Sequence, residues 1–387
     1  MKYLKMATLA ASLIVAYGGA LTAAHAAPTV KIDAVEELSG AGAISGSNFD
    51  NGAKMAVKEI NASGGILGRH IDFRDFDTQS NPGVASALIR KAADDGAYAI
   101  LGPGFSGSVI IAEKQAALAK IPDLVGAEAN NITAQGNAYL FRTSLDQAQS
   151  MPSVASFMTH DLHAKKVALV WVDNDFGKDG RDSIRADLEK MGASVVTDIP
   201  VEQGQVDYTS AILKVQGSKP DALFLYLNEG GDARFLVQLR KYGFTKPIVG
   251  QSSLANPSVI SLAKSAADGV YCQVGLTTAA KSPLVQKFVA DYENQYHSVP
   301  DQNSFKGYIA MQTVKAATEK LKKFDSQALA DELHHARLSA KQYPGILMDL
   351  SYLPNGDIMR QSYIVKVESG KQVVIKEFAA DAAQPLK

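Results

Sequence analysis

The stretch Gly52-Ala53-Lys54-Met55-Ala56-Val57-Lys58-Glu59-Ile60-Asn61 lies between two runs rich in β-branched and other apolar residues, at 30–35 and 70–76. Its apolar side chains recur at helical spacing, which puts one stripe on Ala53, Ala56, Val57 and Ile60. The glycine pair Gly64-Gly65 is where such a helix is expected to end. Strand, helix and strand thus follow one another, and this order is typical of a parallel βαβ unit.

The same alternation continues along the chain, with Gly, Asn, Asp or Pro at the junctions. It predicts parallel sheets covered by helices on both faces. The series covers about residues 29–145 and restarts at Val167 after a helix-like segment, which predicts two doubly wound α/β lobes instead of one large sheet. The further strand candidates are 97–101, 124–126, 167–172, 194–200, 222–227, 247–249, 362–367 and 372–375, and the long helices are 148–160, 284–296 and 305–321.

Composition and charge narrow the possible functions. The chain has 387 residues, 46% hydrophobic and 20% charged, which is ordinary for about two globular domains. Its net charge is −1 with no sustained run of either sign, so neither nucleic acid nor an anionic membrane surface is indicated. Cys272 is the single cysteine, which excludes an intrachain disulfide, and we expect it to be a small buried hydrophobe.

The first 26 residues are typical of a secretory signal peptide. Lys2 and Lys5 precede an apolar run over 6–16, and the small-residue site Ala24-His25-Ala26 follows. Tyr17-Gly18-Gly19 interrupts the run, whereas roughly 20 continuous apolar residues are needed to span a bilayer. We therefore predict cleavage after Ala26 and export of the remaining chain.

Five segments resemble a known family when they are taken in order along the chain. They are 38–42 with 51–53 and 56–68, Asp77-Thr78 with Asn81-Pro82, Ile100-Leu101-Gly102 with Ser106, Phe141-Arg142-Thr143, and Asp175-Phe176-Gly177-Lys178-Asp179-Gly180. Together they resemble type I periplasmic solute-binding proteins, which include the leucine/isoleucine/valine-binding proteins of ABC importers. The resemblance implies two lobes joined by a three-crossover hinge, with a ligand held in the cleft and closure by hinge motion.

The resemblance also implies lobe boundaries and a location. The amino-terminal lobe would comprise 28–146 plus 277–353, and the carboxy-terminal lobe would comprise 147–276 plus 354–387. With the signal peptide over 1–26, the mature protein is expected in the periplasm.

A glycine-rich turn follows the third predicted strand, in Gly102-Pro103-Gly104-Phe105-Ser106-Gly107-Ser108. Its glycines allow close approach to the backbone, and Ser106 and Ser108 add hydroxyls to the free amides of a helix start, which is a site for a carboxylate. In the resembled family, the serine at the position of Ser106 binds the α-carboxylate of an amino acid. The alternative is that Ser106 only caps the helix.

The resemblance places further ligand contacts at other strand ends. The loop with Ala127 and Glu128 is one that the family uses, and Glu128 would pair with a ligand ammonium, unless it is a solvated loop residue or part of a cross-cleft ion pair. Phe176 aligns with an aromatic that lies against the ligand, and the alternative is a core phenylalanine. Asn228 and Glu229 end a strand at the cleft, although Glu229 could instead cap a helix.

Two positions depart from the family pattern. Ser252 stands where branched-chain amino-acid binders have the acidic residue that holds the ligand ammonium. Ser45 stands where they often have an aromatic residue in the first loop. Both positions are expected to face the ligand, and both departures argue against a branched-chain amino acid.

Catalytic and metal sites are not indicated. The segment 102–107 also reads as G-x-G-x-x-G with Glu128 about 20 residues on, as in dinucleotide-binding proteins, but Pro103 removes an amide donor and an exported protein rarely meets a nicotinamide pool. The pairs His160/His163 and His334/His335 lack companions at zinc spacing. The segment 104–108 misses the nucleophile motif G-x-S-x-G.

The sequence therefore predicts the periplasmic substrate-binding component of an ABC importer. It would capture a small polar solute, an amino acid or a related carboxylate, without a cofactor or a metal and without acting as an enzyme. The expected partners are the permease and ATPase subunits of the importer, and a monomer is expected. The alternative is a ligand-sensing subunit of the same fold in a signalling or regulatory system.

Overall fold

A computed structural model describes residues 28–380, so the predicted signal peptide lies outside the described residues. The strands of the first sheet are β1 (Thr29–Glu36), β2 (His70–Asp77), β3 (Ala99–Leu101), β4 (Asp123–Val125) and β5 (Leu140–Arg142). They pair in parallel in the order β2-β1-β3-β4-β5. This is a doubly wound arrangement, in which the strand order reverses beside β1.

Two more sheets complete the strand inventory of the described residues. The remaining strands are β6 (Lys166–Val172), β7 (Ser194–Val201), β8 (Ala222–Tyr226), β9 (Ile248–Gln251), β10 (Tyr271–Val274), β11 (Arg337–Leu338), β12 (Leu350–Tyr352), β13 (Ile358–Met359), β14 (Ser362–Glu368) and β15 (Lys371–Phe378). A seven-stranded sheet has the order β15-β14-β10-β9-β8-β6-β7, and its last two strands in the chain are antiparallel. Strands β11, β12 and β13 form a small antiparallel sheet.

The helices lie between the strands. They are α1 (Ala43–Ala62), α2 (Pro82–Asp94), α3 (Ser106–Ala119), α4 (Asn131–Ala134), α5 (Gln147–Ser156), α6 (Asp175–Lys190), α7 (Thr209–Gly217), α8 (Glu229–Lys241), α9 (Pro257–Ala263), α10 (Pro283–Tyr296), α11 (Gln302–Leu321) and α12 (Ser326–Leu333). Over residues 28–380, no helix combines the length and the apolarity that a membrane crossing requires.

The chain passes between the two large sheets three times: after β5, after β10, and before β14. After the second crossing, α11 packs along α1 at very short range. A Cβ on Gly52 would lie 1.9 Å from the backbone oxygen of Ser304, and one on Gly307 would lie 1.9 Å from that of Phe49. These two glycines therefore allow the backbones of α1 and α11 to lie in direct contact.

The predicted fold class is confirmed, with two doubly wound lobes and three crossovers. The sequence prediction missed β5 and β10 and the small sheet, all of which consist of short strands. Cys272 is fully buried in β10, as expected. The lobe boundaries stay a prediction, and β12 and β13, which pair with each other, lie on either side of the proposed boundary at 353/354.

Candidate functional site

A cavity of about 230 Å³ lies between the two large sheets. Its walls come from residues that follow the carboxyl ends of strands, where open α/β sheets bind ligands. Several helices begin at this cavity, and each helix start adds partial positive charge. One wall residue near the start of each of α1, α3, α6, α8 and α11 is Ser45, Ser106, Asp175, Asn228 and Asn303, respectively.

The start of α3 offers donors to an anionic group. Ser106 is the first helical residue, and the N-cap Phe105 makes no side-chain cap bond, so the first backbone amides have no acceptor within the helix. The Ser106 hydroxyl accepts from the Ala129 amide at 3.2 Å and keeps its own proton to donate. Ser108 is also buried and lines the same wall. Ser106 follows the N-cap instead of occupying it, and its hydroxyl bonds to Ala129, outside α3; its contact with a ligand stays a prediction.

Glu128 lies in a buried ion pair. Its Oε1 accepts from the ammonium of Lys306 at 2.8 Å, and the two side chains are 5% and 4% exposed, respectively. Lys306 also donates to the backbone oxygen of Gly126 at 3.2 Å. Glu128 is therefore not a solvated loop residue. Lys306 balances its charge at Oε1, whereas its Oε2 is buried without a hydrogen-bond partner.

Ser252 connects the second sheet to this ion pair. Its hydroxyl donates to Glu128 Oε1 at 2.9 Å and accepts from the side-chain amide of Gln302. The backbone of Ser252 is left-handed, with φ of 63°, in the turn after β9. Ser252 therefore hydrogen-bonds Glu128, which belongs to the loop after β4 in the first sheet.

Phe176 forms part of the cavity wall and is also packed from behind. Its ring stacks on Tyr226 with centroids 4.2 Å apart. The Tyr226 hydroxyl accepts from the side-chain amide of Gln147 at 2.7 Å, which holds Tyr226 behind Phe176, the fourth residue after β6. An aromatic face is thus offered to a ligand from the second lobe.

Glu229 is the first residue of α8, is 5% exposed and lines the cavity. Its Oε1 accepts from Ser45 at 2.9 Å, from Asn256 at 3.2 Å and from Asn303 at 3.4 Å. Burial, and after it the nearby charge of Asp301, raise the pKa of Glu229. Its carboxylate accepts from Ser45 across the cleft and is also hydrogen-bonded to its own backbone amide at the start of α8, so the helix-capping alternative stays open.

Ala127 is the one predicted contact that the structure places behind the wall. It is buried, and it is absent from the residues that line the cavity. Its carbonyl accepts from Arg142 at 2.8 Å and from Ser144 at 2.7 Å. Because both bonds hold that carbonyl inside the first lobe, Ala127 positions the Glu128 loop and does not face the ligand. Ser45, Ser106, Ser108, Glu128, Phe176, Asn228, Glu229 and Ser252 do line the cavity.

Two of the charged wall residues that the sequence analysis did not predict are Glu36 and Lys306. Glu36, at the end of β1, is fully buried under the glycine-rich turn, where a Cβ on Gly102 would lie 2.2 Å from its Oε1. Burial, and after it the neighbouring Glu37, raise the pKa of Glu36 well above its usual range. Lys306 is the other, in the first turns of α11. Its signal was present in the sequence, because Lys306 shares a helical stripe with the apolar Ile309 and Ala310.

Residues 28–380 contain no group of three or more His, Cys, Asp or Glu side chains arranged to hold a metal ion. The dinucleotide interpretation of the glycine-rich turn gains no support from the geometry either. Glu128, its required acidic residue, is hydrogen-bonded to Ser252 and paired with Lys306.

Comparisons with known proteins agree with this geometry. The chain is 28% identical over 372 residues to the Leu/Ile/Val-binding protein BraC3 of Rhizobium johnstonii, covering 95% of this chain and 97% of the relative. The structure of LivJ from Streptococcus pneumoniae, a branched-chain amino acid transporter substrate-binding protein in complex with isoleucine, superposes with a TM-score of 0.81 at 25% identity, over 91% of this chain and 99% of that one. The leucine-binding protein LivK of Thermotoga maritima gives a TM-score of 0.83 at 22% identity, over 91% and 99% of the two chains.

Residues 29–372 match the sequence model of the family described as periplasmic binding protein. The match covers the first large sheet, every strand of the second except most of β15, and every residue assigned to the cavity. The chain therefore belongs to the periplasmic binding protein family.

Proposed function

We propose that this protein is the substrate-binding component of an ABC importer and that its solute carries a carboxylate. The observation that supports the proposal most is the start of α3. It presents uncapped amides together with Ser106 to the cavity between the lobes. Uncapped amides and a hydroxyl at a helix start favour an anionic group. Relatives that are named for binding leucine, isoleucine and valine favour an amino acid or a related carboxylate.

The solute is bound and released without reaction. Contacts from Ser106 on one lobe and Phe176 on the other favour the state in which the lobes enclose the cavity. Binding then shifts the population toward that closed state, because the ligand has more contacts there. The permease would recognise the closed state, and the ATPase subunits would drive transfer.

A thermal-shift screen of the purified protein tests the solute class. The panel contains L-amino acids, the corresponding 2-oxo acids and aromatic carboxylates, since Phe49, Phe105 and Phe176 line the cavity. A ligand present at 100 times its dissociation constant should add about 2.7 kcal/mol to the free energy of unfolding. Stabilisation by a carboxylate, and by no matched amide or alcohol, supports the proposal. Stabilisation by uncharged sugars alone would contradict it.

Location and partners have separate tests. We propose that the protein acts in the periplasm after removal of residues 1–26, because the small residues Ala24 and Ala26 follow the apolar run. Intact-mass analysis of periplasmic material should give a chain that begins at Ala27, and retention of Met1 would contradict it. Loss of solute uptake on deletion of the gene, restored by the full chain, would support the importer.

A further inference from the structure

The first sheet's side of the interlobe cavity contains a recess where two glycines face each other. Gly104 follows β3 and Gly126 follows β4, and both line the cavity. A Cβ on Gly126 would lie 3.5 Å from the Cα of Gly104 and 3.5 Å from the ring of Phe49, which also lines the cavity. These are ordinary contact distances, so the recess exists because neither position carries a side chain.

A charged residue lies beside each glycine. A Cβ on Gly104 would lie 3.3 Å from Oε2 of Glu36, at the end of β1. The ammonium of Lys306 donates to the backbone oxygen of Gly126 at 3.2 Å. Both charged residues line the cavity and are at most 3% exposed. We call these two glycines, Phe49, Glu36 and Lys306 the glycine recess, which is apolar only at Phe49.

The glycine recess has hydrogen-bonding groups to spare. Both carboxyl oxygens of Glu36 are buried without a partner among the described residues. Burial and the neighbouring Glu37 hold the pKa of Glu36 well above its usual range, which favours the protonated form, with one donor and one free acceptor. Lys306 uses two of its three N–H groups, on Gly126 and on Oε1 of Glu128, whereas Oε2 of Glu128 has no partner. Donors and acceptors are thus offered together.

This mixture discriminates between solute groups. An aliphatic group would leave buried donors and acceptors unpaired, which is costly. A carboxylate would be repelled by Glu128, and a cationic group would be repelled by Lys306. An uncharged group that both donates and accepts can satisfy both kinds of partner, and carboxamides and hydroxyls have this chemistry.

We propose that the solute carries, besides its carboxylate, an uncharged group that both donates and accepts hydrogen bonds, and that the glycine recess selects this group. The inference deepens the proposed function and rests on it. The solute carboxylate lies at the start of α3, and the uncharged polar group lies between Glu36 and Lys306. Both residues then determine specificity, against the aliphatic side chains after which the leucine-, isoleucine- and valine-binding relatives are named.

Titration calorimetry with probes of equal shape tests the inference. Leucine, asparagine and aspartate carry an isopropyl, a carboxamide and a carboxylate at the same position, and 4-methylpentanoate, succinamate and succinate repeat this series without the amine. Valine and threonine make the corresponding pair for a hydroxyl. The carboxamide or the hydroxyl probe should bind roughly tenfold or more tightly than its aliphatic and charged counterparts, because a site built for hydrogen bonds rejects an analogue that lacks them.

Variants of Glu36 show whether the glycine recess causes the preference. Glu36→Met keeps the length of the side chain and removes its donor and acceptor, so it should lower the ratio of polar to aliphatic affinity by roughly tenfold. Glu36→Gln restores an uncharged donor and acceptor and should restore the ratio. Each ratio compares two probes on one protein, so a general loss of folded protein cannot produce the change.

Two more variants complete the set. Gly126→Ala places a methyl group in the glycine recess at ordinary contact distances, so it should weaken the polar probe while the melting temperature of the free protein stays close to that of wild type. Glu293→Met changes an exposed glutamate on α10 and should bind every probe as wild type does.

The outcomes separate this inference from the proposed function. A wild-type protein that prefers the aliphatic or the charged probes in every series would overturn the inference, although the proposed function would then stand. An unchanged ratio in Glu36→Met would also overturn the inference. Failure of wild type to bind any carboxylate would overturn both.

Discussion

Lys306→Met removes one partner of the buried ion pair between Lys306 and Glu128, which line the interlobe cavity. In wild type the Lys306 ammonium lies 2.8 Å from Glu128, with both side chains at most 5% exposed. After the substitution, Glu128 keeps the hydroxyl of Ser252 as its side-chain donor and has no cation in contact. Leaving one buried charge uncompensated costs about 3–5 kcal/mol. We expect the free energy of unfolding of the ligand-free protein to fall by about that amount.

The double variant Lys306→Met with Glu128→Gln separates the charge from the packing. It leaves no charge at the site, so it should recover most of the stability that the single variant loses. The matched control is Lys323→Met, which breaks an exposed pair with Asp325 at 3.0 Å, where the side chains are 56% and 43% exposed. Exposed pairs contribute about 0–1 kcal/mol, so this control should be nearly neutral.

Urea denaturation of the four proteins, followed by circular dichroism, gives the free energies of unfolding. A Lys306→Met loss below about 1 kcal/mol would refute the buried pair, because a loss of that size is typical of exposed pairs. A double variant less stable than Lys306→Met would also refute it. In that case the side chains would contribute by packing, and the charge argument would be wrong.

Three more outcomes follow from single sites. Ser106→Ala should weaken binding of a carboxylate solute by roughly 1–3 kcal/mol in titration calorimetry, and unchanged affinity would reject its role as a donor. Gly307→Ala should lower the free energy of unfolding by about 1–3 kcal/mol, because the added Cβ would lie 1.9 Å from the backbone oxygen of Phe49, although alanine is the better helix former. The control is Gly217→Ala, where an added Cβ has no heavy atom within 4 Å. Equal effects of the two substitutions in urea denaturation would contradict the packing argument. Burial and the adjacent Asp357 raise the pKa of Asp146 to about 7. A carboxyl whose pKa is higher in the folded than in the unfolded state stabilises the fold below the unfolded-state pKa, and this stability is lost as pH rises through the folded-state pKa. The free energy of unfolding of wild type should therefore fall from about pH 4 to about pH 7, and that of Asp146→Asn should fall less. Parallel pH profiles of the two proteins would contradict this.

The sequence predicted the architecture because the signals for it are local. Each of the longer strands, such as β6 with its run from Val167 to Val172, is a continuous apolar segment bounded by turn residues. The missed strands have weaker local signals. Strand β5 has three residues and ends on Arg142, which is buried because it pairs with Asp357 at 2.6 Å, 215 positions away. A charged residue in so short a segment does not predict a strand.

The candidate site was predictable where one segment carries it. The turn before α3 has its glycines, Ser106 and the helix start within seven residues, and the structure places Gly104, Ser106 and Gly107 at the cavity. The role of Glu128 was not predictable, because its cation is Lys306, 178 positions away. The same holds for Glu229, whose donor Ser45 is 184 positions away. Charge balance in the cleft depends on which helices the crossovers bring together.

A crystal structure with the solute that stabilises the protein most would test the central claim directly. The account predicts density for the solute between the lobes, with its carboxylate within hydrogen-bond distance of Ser106 and of the amides at the start of α3. The ring of Phe176 should lie against the other side of the solute. A solute bound outside the interlobe cavity, or one whose carboxylate points away from α3, would contradict the account.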